Sequence, residues 1–263
     1  VTERPAYPMP NIEEILDSLN EAHVFSTIDL GNTYYHVELD EDSKLKTAFS
    51  TKSGQFCFNR MPFGIAAAPA TFQRLMNIFL GDMLWKEALV YLDDILIFSK
   101  TLDEHIFKLN KLFDKIKFTG LKINPEKCPF LKQKTKFLGH IIDEGVRTDI
   151  DKLESVKTFE RLKCIKKLRS FLGLCNYYRK FIKNYSSLAR NLETLCGRNK
   201  EKLFWNDKCE KSFCQLKEAL TKTPVLAYPD FNKDFILDTD ASLNTICAVL
   251  SQLDDEGNEK VIA

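Results

Sequence analysis

Apolar side chains recur along this chain in two rhythms, and their alternation outlines the elements before any motif is sought. Ile12, Ile15, Leu16 and Leu19 share one face of a short helix that Asn11 would cap, with Glu13 and Glu14 in its first turn. Residues 24–30 read as a strand with one aspartate, Asp29, near its end, and residues 34–39 alternate like its continuation or a neighbour. Residues 46–51 and 55–59, joined through Lys52-Ser53-Gly54, predict a hairpin. The small-residue stretch 61–69 allows close backbone approach. It leads into a helix with Pro69 in its first turn, Phe72, Leu75, Met76 and Phe79 on its apolar face, and Gly81 at its end.

Residues 89–98 hold two apolar runs, rich in β-branched and aromatic residues, on either side of Asp93-Asp94. Each run predicts a short buried strand, with the acidic pair at the hairpin turn. Thr101-Leu102-Asp103-Glu104 has capping-box spacing, and Leu102, Ile106, Leu109, Phe113 and Ile116 predict the buried face of a long helix stopping at Gly120. The order β-α-β-β-α indicates an α+β sheet layer. From Asp151 the pattern turns helical, notably over 165–173, 177–185 and 207–220. After Pro224 and Pro229 strands return, over 235–242 and 246–250.

With 263 residues, 44% hydrophobic and 29% charged, the chain fits one large or two modest soluble domains. No apolar run approaches the roughly 18 to 20 residues that span a bilayer, and no signal-peptide pattern is present. The opening on Val1 rather than Met suggests a piece of a longer polypeptide. Eight cysteines without CxxC pairs or zinc-like spacing read as reduced, mostly core residues in an intracellular compartment. The net charge of +1 conceals an asymmetry. Residues 1–44 carry ten acids against Arg4 and Lys44, and the end from Asp230 is acidic again. Between them, residues 108–136 carry nine lysines against two acids, and residues 157–190 carry ten Lys and Arg against Glu160. A basic middle between acidic ends suits a polyanion lying along one region while carboxylates elsewhere hold metal. A solvated charged face is the plainer alternative.

Two adjacent carboxylates amid apolar sequence repel each other and resist desolvation; a divalent cation with oxygen ligands would relieve both penalties. An exposed acidic turn is the competing interpretation. Similarly, the aromatics interleaved with Lys and Arg over 165–185 suit nucleic acid, or else form a packed stripe with snorkelling lysines.

At this point the residues resemble a family, the reverse transcriptases of gypsy-type LTR retrotransposons. Tyr91-Leu92-Asp93-Asp94 resembles the catalytic turn and Phe25-Ser26-Thr27-Ile28-Asp29-Leu30 the first catalytic segment. Met61-Pro62-Phe63-Gly64 with Ala68-Pro69-Ala70-Thr71-Phe72-Gln73 resembles the template and nucleotide segment, and Phe137-Leu138-Gly139-His140 the primer-grip hairpin. Arg169-Ser170-Phe171-Leu172-Gly173-Leu174 with Asn176-Tyr177-Tyr178-Arg179 resembles the thumb. Thr239-Asp240-Ala241-Ser242 and Ala248-Val249-Leu250 resemble the opening of an RNase H domain. The chain departs from the family at Asn32, Thr33 and His36, where a small residue, Gly and Gln are usual.

The resemblance implies a right-hand polymerase: an antiparallel palm sheet with part of the fingers over 1–144, a helical thumb over 145–223, and the first strands of an RNase H-like domain over 224–263. Fingers residues upstream of Val1 would be missing. The implied activity is RNA-directed DNA polymerisation within a Pol polyprotein. Asp29, Asp93 and Asp94 would be the catalytic carboxylates and the ligands of two Mg²⁺ ions, with Mn²⁺ as an alternative. Tyr34, Phe63, Gln73 and Lys127 would contact the nucleotide, Tyr34 screening its 2′ position and Lys127 giving a proton to pyrophosphate. Leu138 and Gly139 would form the primer grip. Arg169, Tyr177, Tyr178, Arg179, Lys180 and Lys183 would bind the duplex, and Asp240 would be the first RNase H carboxylate. Too little chain follows Asp240 for RNase H activity. The implied partners are an RNA or DNA template with primer, dNTPs, and the protease, RNase H and integrase of the polyprotein. The implied setting is a cytoplasmic virus-like particle or the nucleus, without membrane. A catalytically inactive, degenerate or domesticated fragment that only binds nucleic acid is the alternative.

Overall fold

The computed structural model describes residues 7–149, 162, 164–196, 204–221, 224–241 and 246–263, and the chain divides into two compact units, Val1–Phe137 and Leu138–Ala263. In the first, α1 (Ile12–Asp17) begins where the Asn11 side chain accepts a hydrogen bond from the Glu13 N–H. After β1 (Val24–Asp29) the expected alternating strand is instead a 3₁₀ turn, Thr33–His36. Asn32, with a left-handed φ of 57°, swings the backbone out of the sheet, and His36 Nε2 bonds the Gly31 carbonyl at 2.8 Å. A helix that the hydrophobic pattern does not announce, α2 (Glu41–Lys46), starts on the Asp40 carboxylate, which accepts the Ser43 N–H. It shortens the following hairpin to β2 (Phe49–Thr51) and β3 (Gly54–Phe56).

The remaining elements of this unit are α3 (Ala68–Leu80), β4 (Ala88–Tyr91), β5 (Asp94–Ser99), α4 (Leu102–Thr119) and β6 (Thr135–Phe137). Thr101 Oγ1 accepts the Glu104 N–H at the start of α4, and Gly120 ends it with φ 71°. The central sheet has the order β1-β5-β4 with both pairings antiparallel. Its period of two puts Ile28, Val90, Ile95 and Ile97 on one face, packed with Phe72, Met76 and Leu80 of α3 and Leu109, Leu112 and Ile116 of α4.

The buried face of α4 departs from the expected stripe. Leu102 and Ile106 are exposed, and His105 and Lys108 are buried in their place. Both polar residues are satisfied: His105 lies between the hydroxyls of Ser26 (2.8 Å) and Ser99 (2.5 Å), and Lys108 donates to the Phe98 carbonyl at 2.9 Å.

In the second unit, β7 (His140–Ile142) and β8 (Val146–Thr148) form an antiparallel hairpin. Helices α5 (Ile165–Tyr177), α6 (Tyr185–Glu193) and α7 (Asp207–Thr221) follow. The expected helix over 177–185 is broken: α5 stops at Tyr177, and Asn184, with φ 58°, precedes the restart at Tyr185. The helical texture expected from Asp151 to residue 161 lies outside the described residues. A sheet of order β11-β10-β9 comes last, from β9 (Ile236–Ala241), β10 (Ile246–Leu253) and β11 (Glu259–Val261).

Among the described residues no helix is long and apolar enough to cross a membrane. Among the described side chains seven cysteines are free thiols, and of these Cys128, Cys175 and Cys209 are buried, so these seven are not mostly core residues as their pattern suggests.

Candidate active site

Asp29 is the last residue of β1 and Asp94 the first of β5, and the register sets them directly opposite each other. Each is one residue from a core residue, Ile28 or Ile95, so the alternation of side chains places both on the sheet face away from α3 and α4. The turn between β4 and β5 is Leu92-Asp93, so the acidic pair does not itself make the turn: Asp94 already belongs to the strand. Leu92 has φ 56° and Asp93 does not share the positive φ, the pattern of a type II′ turn, in which glycine is usual at the first position. A leucine there is strained by about 1–3 kcal/mol.

Several groups hold this end of the sheet. Thr33 Oγ1 lies 3.1 Å from Asp93 Oδ2 and 3.3 Å from the Leu30 carbonyl, and the Leu30 N–H donates to the Asp93 carbonyl at 3.3 Å. The Asp29 carbonyl accepts the Asn124 N–H at 2.9 Å. Lys127 Nζ stands 4.0 Å from Asp29 Oδ2, its side chain exposed while that of Asp29 is largely covered. Tyr34 is half-buried, its ring 5.1 Å from Phe63 and 5.8 Å from Phe72; burial first, and the Asp93 charge second, raise its hydroxyl above the usual tyrosine value. Phe63 itself is 62% exposed. These five residues, Asp29, Asp93, Asp94, Tyr34 and Lys127, thus collect at one end of the first unit's sheet, with Phe63 against Tyr34.

Gln73 is placed otherwise than expected. It is fully buried, its Oε1 accepting the Leu92 N–H at 2.7 Å and its Nε2 donating to the Asn77 side chain at 2.9 Å and the Val90 carbonyl at 3.3 Å. It braces the turn from behind and cannot line a nucleotide path. The available signal was its place among Phe72 and Met76 on the buried face of α3, four residues before Asn77. Thr33 carries no such local signal, because its bond to Asp93 joins residues 60 apart in sequence.

In the second unit Leu138 (φ 48°) and Gly139 (φ 77°) are consecutive left-handed residues. Tyr177 donates its hydroxyl to the Leu138 carbonyl at 2.7 Å and Tyr178 to the Gly139 carbonyl at 2.9 Å. Tyr178 is 2% exposed with its ring against His140, and burial pushes its hydroxyl up to about 12. It is therefore not a nucleic-acid contact, as its place in an aromatic-basic run suggests, but part of the support of the 138–139 turn. Tyr177 is 43% exposed, and Arg169, Arg179 and Lys183 are exposed on the helical segment, with Lys180 partly so. Asp240 is exposed on β9, paired in register with Cys247.

Among the described residues, no three His, Cys, Asp or Glu side chains converge closely enough to form a metal cage. The donor set nevertheless fits Mg²⁺, which takes hard carboxylate oxygens from one or two residues and completes its shell with water and substrate phosphates. Two carboxylates directly opposite on one face repel unless a cation lies between them.

Comparison with known proteins agrees with this fold. Residues 2–142 match the family described as reverse transcriptase (RNA-dependent DNA polymerase), and residues 205–263 match the RNase H-like domain found in reverse transcriptase. Over its full length the chain superimposes on a foamy viral protease-reverse transcriptase in complex with double-stranded DNA, with a TM-score of 0.88 and 25% identity, covering 46% of that chain. A complex of the foamy viral enzyme with an RNA/DNA hybrid gives a TM-score of 0.84 at 25% identity over 99% of this chain and 35% of that one. The fold is that of a retroviral-type reverse transcriptase with an RNase H-like region. The Pol polyprotein of transposon 297 from Drosophila melanogaster is 45% identical over 94% of this chain, and that of transposon gypsy from the same organism 36% identical over 94%. The chain belongs to the reverse transcriptase family, whose members depend on divalent metal ions. It spans only 23% and 25% of those two polyproteins.

Proposed function

We propose that this chain is the catalytic part of an RNA-directed DNA polymerase, adding deoxynucleotides to a primer 3′-hydroxyl, within a retrotransposon Pol polyprotein. The observation that carries this is Asp29 facing Asp94 across one strand pair, with Asp93 on the adjoining turn and Tyr34 beside it. Asp29, Asp93 and Asp94 would hold two Mg²⁺ ions, with Mn²⁺ as an alternative. Such ions stabilise the charge on the attacking and leaving oxygens of phosphoryl transfer. Protein chemistry beyond that is positioning. Tyr34, packed between Phe63 and Phe72, fills the space a 2′-hydroxyl would need, and exposed Phe63 offers a surface to the nucleotide. Lys127, a flexible cation at the rim beside Asp29, stands where it could give a proton to departing pyrophosphate.

In this reading, residues 1–144 form the palm with part of the fingers, 145–223 the thumb and 224–263 the start of the RNase H-like domain. The 138–139 turn, propped by Tyr177 and Tyr178, would grip the primer strand, and Arg169, Tyr177, Arg179, Lys180 and Lys183 would lie along the duplex. Asp240 would be the first carboxylate of a nuclease site that this stretch does not complete. Template, primer, dNTPs and the other polyprotein domains are the partners, in a virus-like particle or the nucleus.

Primer extension on poly(rA) with Mg²⁺ tests the reading, with Asp93→Asn beside the parent. The substitution removes a charge from a half-exposed turn residue and no core volume. Extension should vanish while thermal stability and template affinity persist. Near-normal incorporation by Asp93→Asn would end the assignment.

A further inference from the structure

β4 is the last strand of its sheet, paired with β5; on its other edge the Ala88 carbonyl accepts the Trp85 N–H at 2.9 Å. Its Val90 carbonyl and Leu92 N–H flank Tyr91, which pairs with Asp94, and along a strand such flanking groups point to the open edge. Among the described residues no strand pairs with that edge at Val90 and Leu92. The carboxamide of Gln73 takes its place, accepting from Leu92 and donating to Val90 as a neighbouring backbone peptide would. The network also fixes which way the amide points, because only its oxygen can accept the Leu92 N–H. The second donor bond of Gln73 goes to Asn77 Oδ1, and Asn77 Nδ2 donates to the Tyr7 hydroxyl at 2.6 Å. The chain of bonds thus runs from the N-terminal segment through α3 to the residue immediately before Asp93.

We propose that Gln73 is a positioning residue for catalysis: its side chain holds Leu92 in the strained left-handed turn and so sets where Asp93 stands, with Asn77 fixing the Gln73 amide. Gln73 reaches neither substrate nor metal; it acts through the backbone. Leu92 is disfavoured at its φ, so without the amide the turn relaxes toward other conformers and the Asp93 carboxylate is displaced from Asp29 and Asp94. A displacement near 1 Å at a reacting centre lowers turnover by roughly 100-fold. This rests on the polymerase reading for its catalytic consequence, but not for its structural one.

The experiment compares the parent with Gln73→Met, which keeps length and volume while removing both backbone bonds, and Asn77→Ala, which leaves those bonds in place and frees the amide. Amide hydrogen exchange over the 88–99 hairpin is measured on the chain itself. Single-nucleotide extension is measured on the full polyprotein-derived enzyme. Gln73→Met should speed exchange at Leu92 and lower kcat by roughly 10- to 100-fold, with the dNTP KM and primer–template affinity within about twofold of the parent. Asn77→Ala should shift both in the same direction by less, and it carries the test alone if Gln73→Met does not fold. Parent-like exchange at Leu92, parent-like kcat, or a loss confined to KM in the folded variants overturns the proposal. A parent that extends no primer overturns the polymerase reading instead, and the exchange contrast still decides whether Gln73 holds the turn.

Discussion

His105 shows what one buried, satisfied polar residue does to this fold. Its ring bridges Ser26 of β1 and Ser99 of β5 from α4, tying three elements at a fully buried point. Burial first, then the nearby Lys108 charge, hold its pKa below the usual histidine value, against the opposing pull of Glu104. The folded state therefore binds its proton later than the unfolded chain as pH falls. This contribution to stability is complete above about pH 6.5 and is lost as pH falls from there toward the depressed folded pKa. Denaturant midpoints at pH 7.5 and 5.5 should fall further in the parent than in His105→Gln, because the carboxylates titrate in both proteins. Equal falls would show that His105 does not contribute. Tyr34 makes a second test at this scale. Its ring is fixed by Phe63 and Phe72, so Tyr34→Val should open space beside the sugar. Ribonucleotide incorporation relative to deoxynucleotide should rise by at least about tenfold, given that one packing contact is worth roughly 1–3 kcal/mol of discrimination. An unchanged ratio would leave Tyr34 a packing residue.

Among the elements, the β7–β8 hairpin depends on a close approach. Val146 pairs with Leu226 through reciprocal backbone bonds of 2.8 and 2.9 Å, and a Cβ on Gly145 would meet the Leu226 carbonyl at 2.6 Å and Val225 Cγ1 at 2.8 Å. Gly145→Ala must push backbone aside, and thermal denaturation should show a loss of about 1–3 kcal/mol. A stability equal to the parent's would mean that the two segments part freely. Elements of this kind also mark the limit of what the chain's pattern discloses. Helix α3 was legible from Pro69, its apolar face and Gly81, and α4 from Thr101 and Gly120, because caps and periodicity are local signals. The three aspartates were legible because their motifs are local too, although the turn begins one residue earlier than the acidic pair suggests. What was not legible depends on distant partners. His105 and Lys108 read as polar and hence exposed until Ser26, Ser99 and the Phe98 carbonyl are brought to them. Gln73 and Tyr178 read as ligand contacts until the backbone groups they satisfy are seen. The left-handed Asn32 and Asn184 end a strand and restart a helix at points where hydrophobic alternation runs on unbroken.

For the whole molecule, a net charge of +1 gives no general attraction to a polyanion, so affinity for nucleic acid must come from how charge is distributed. The Lys and Arg of 164–190 are the best candidates: Leu168, Phe171, Leu172 and Cys175 turn inward on α5, while Lys166, Lys167 and Arg169 face solvent, followed by exposed Arg179 and Lys183. If these cations lie along a primer–template duplex, each phosphate neutralised releases counterions. Affinity should then fall by roughly 0.7 to 0.9 log units per log unit of salt for each such contact. Replacing Arg179, Lys180 and Lys183 together with Gln should weaken binding similarly on any sequence and flatten that slope by about two to three. These substitutions leave Asp29, Asp93 and Asp94 untouched, so turnover at saturating primer–template should change much less than affinity. Cations that merely solvate a helix face predict no change in either quantity. Salt titrations of the parent and the triple variant between about 50 and 200 mM, the range over which such contacts are strongly expressed, separate the two accounts. Coincident slopes would remove this segment from the binding surface and leave the lysines of 108–136 as the next place to look.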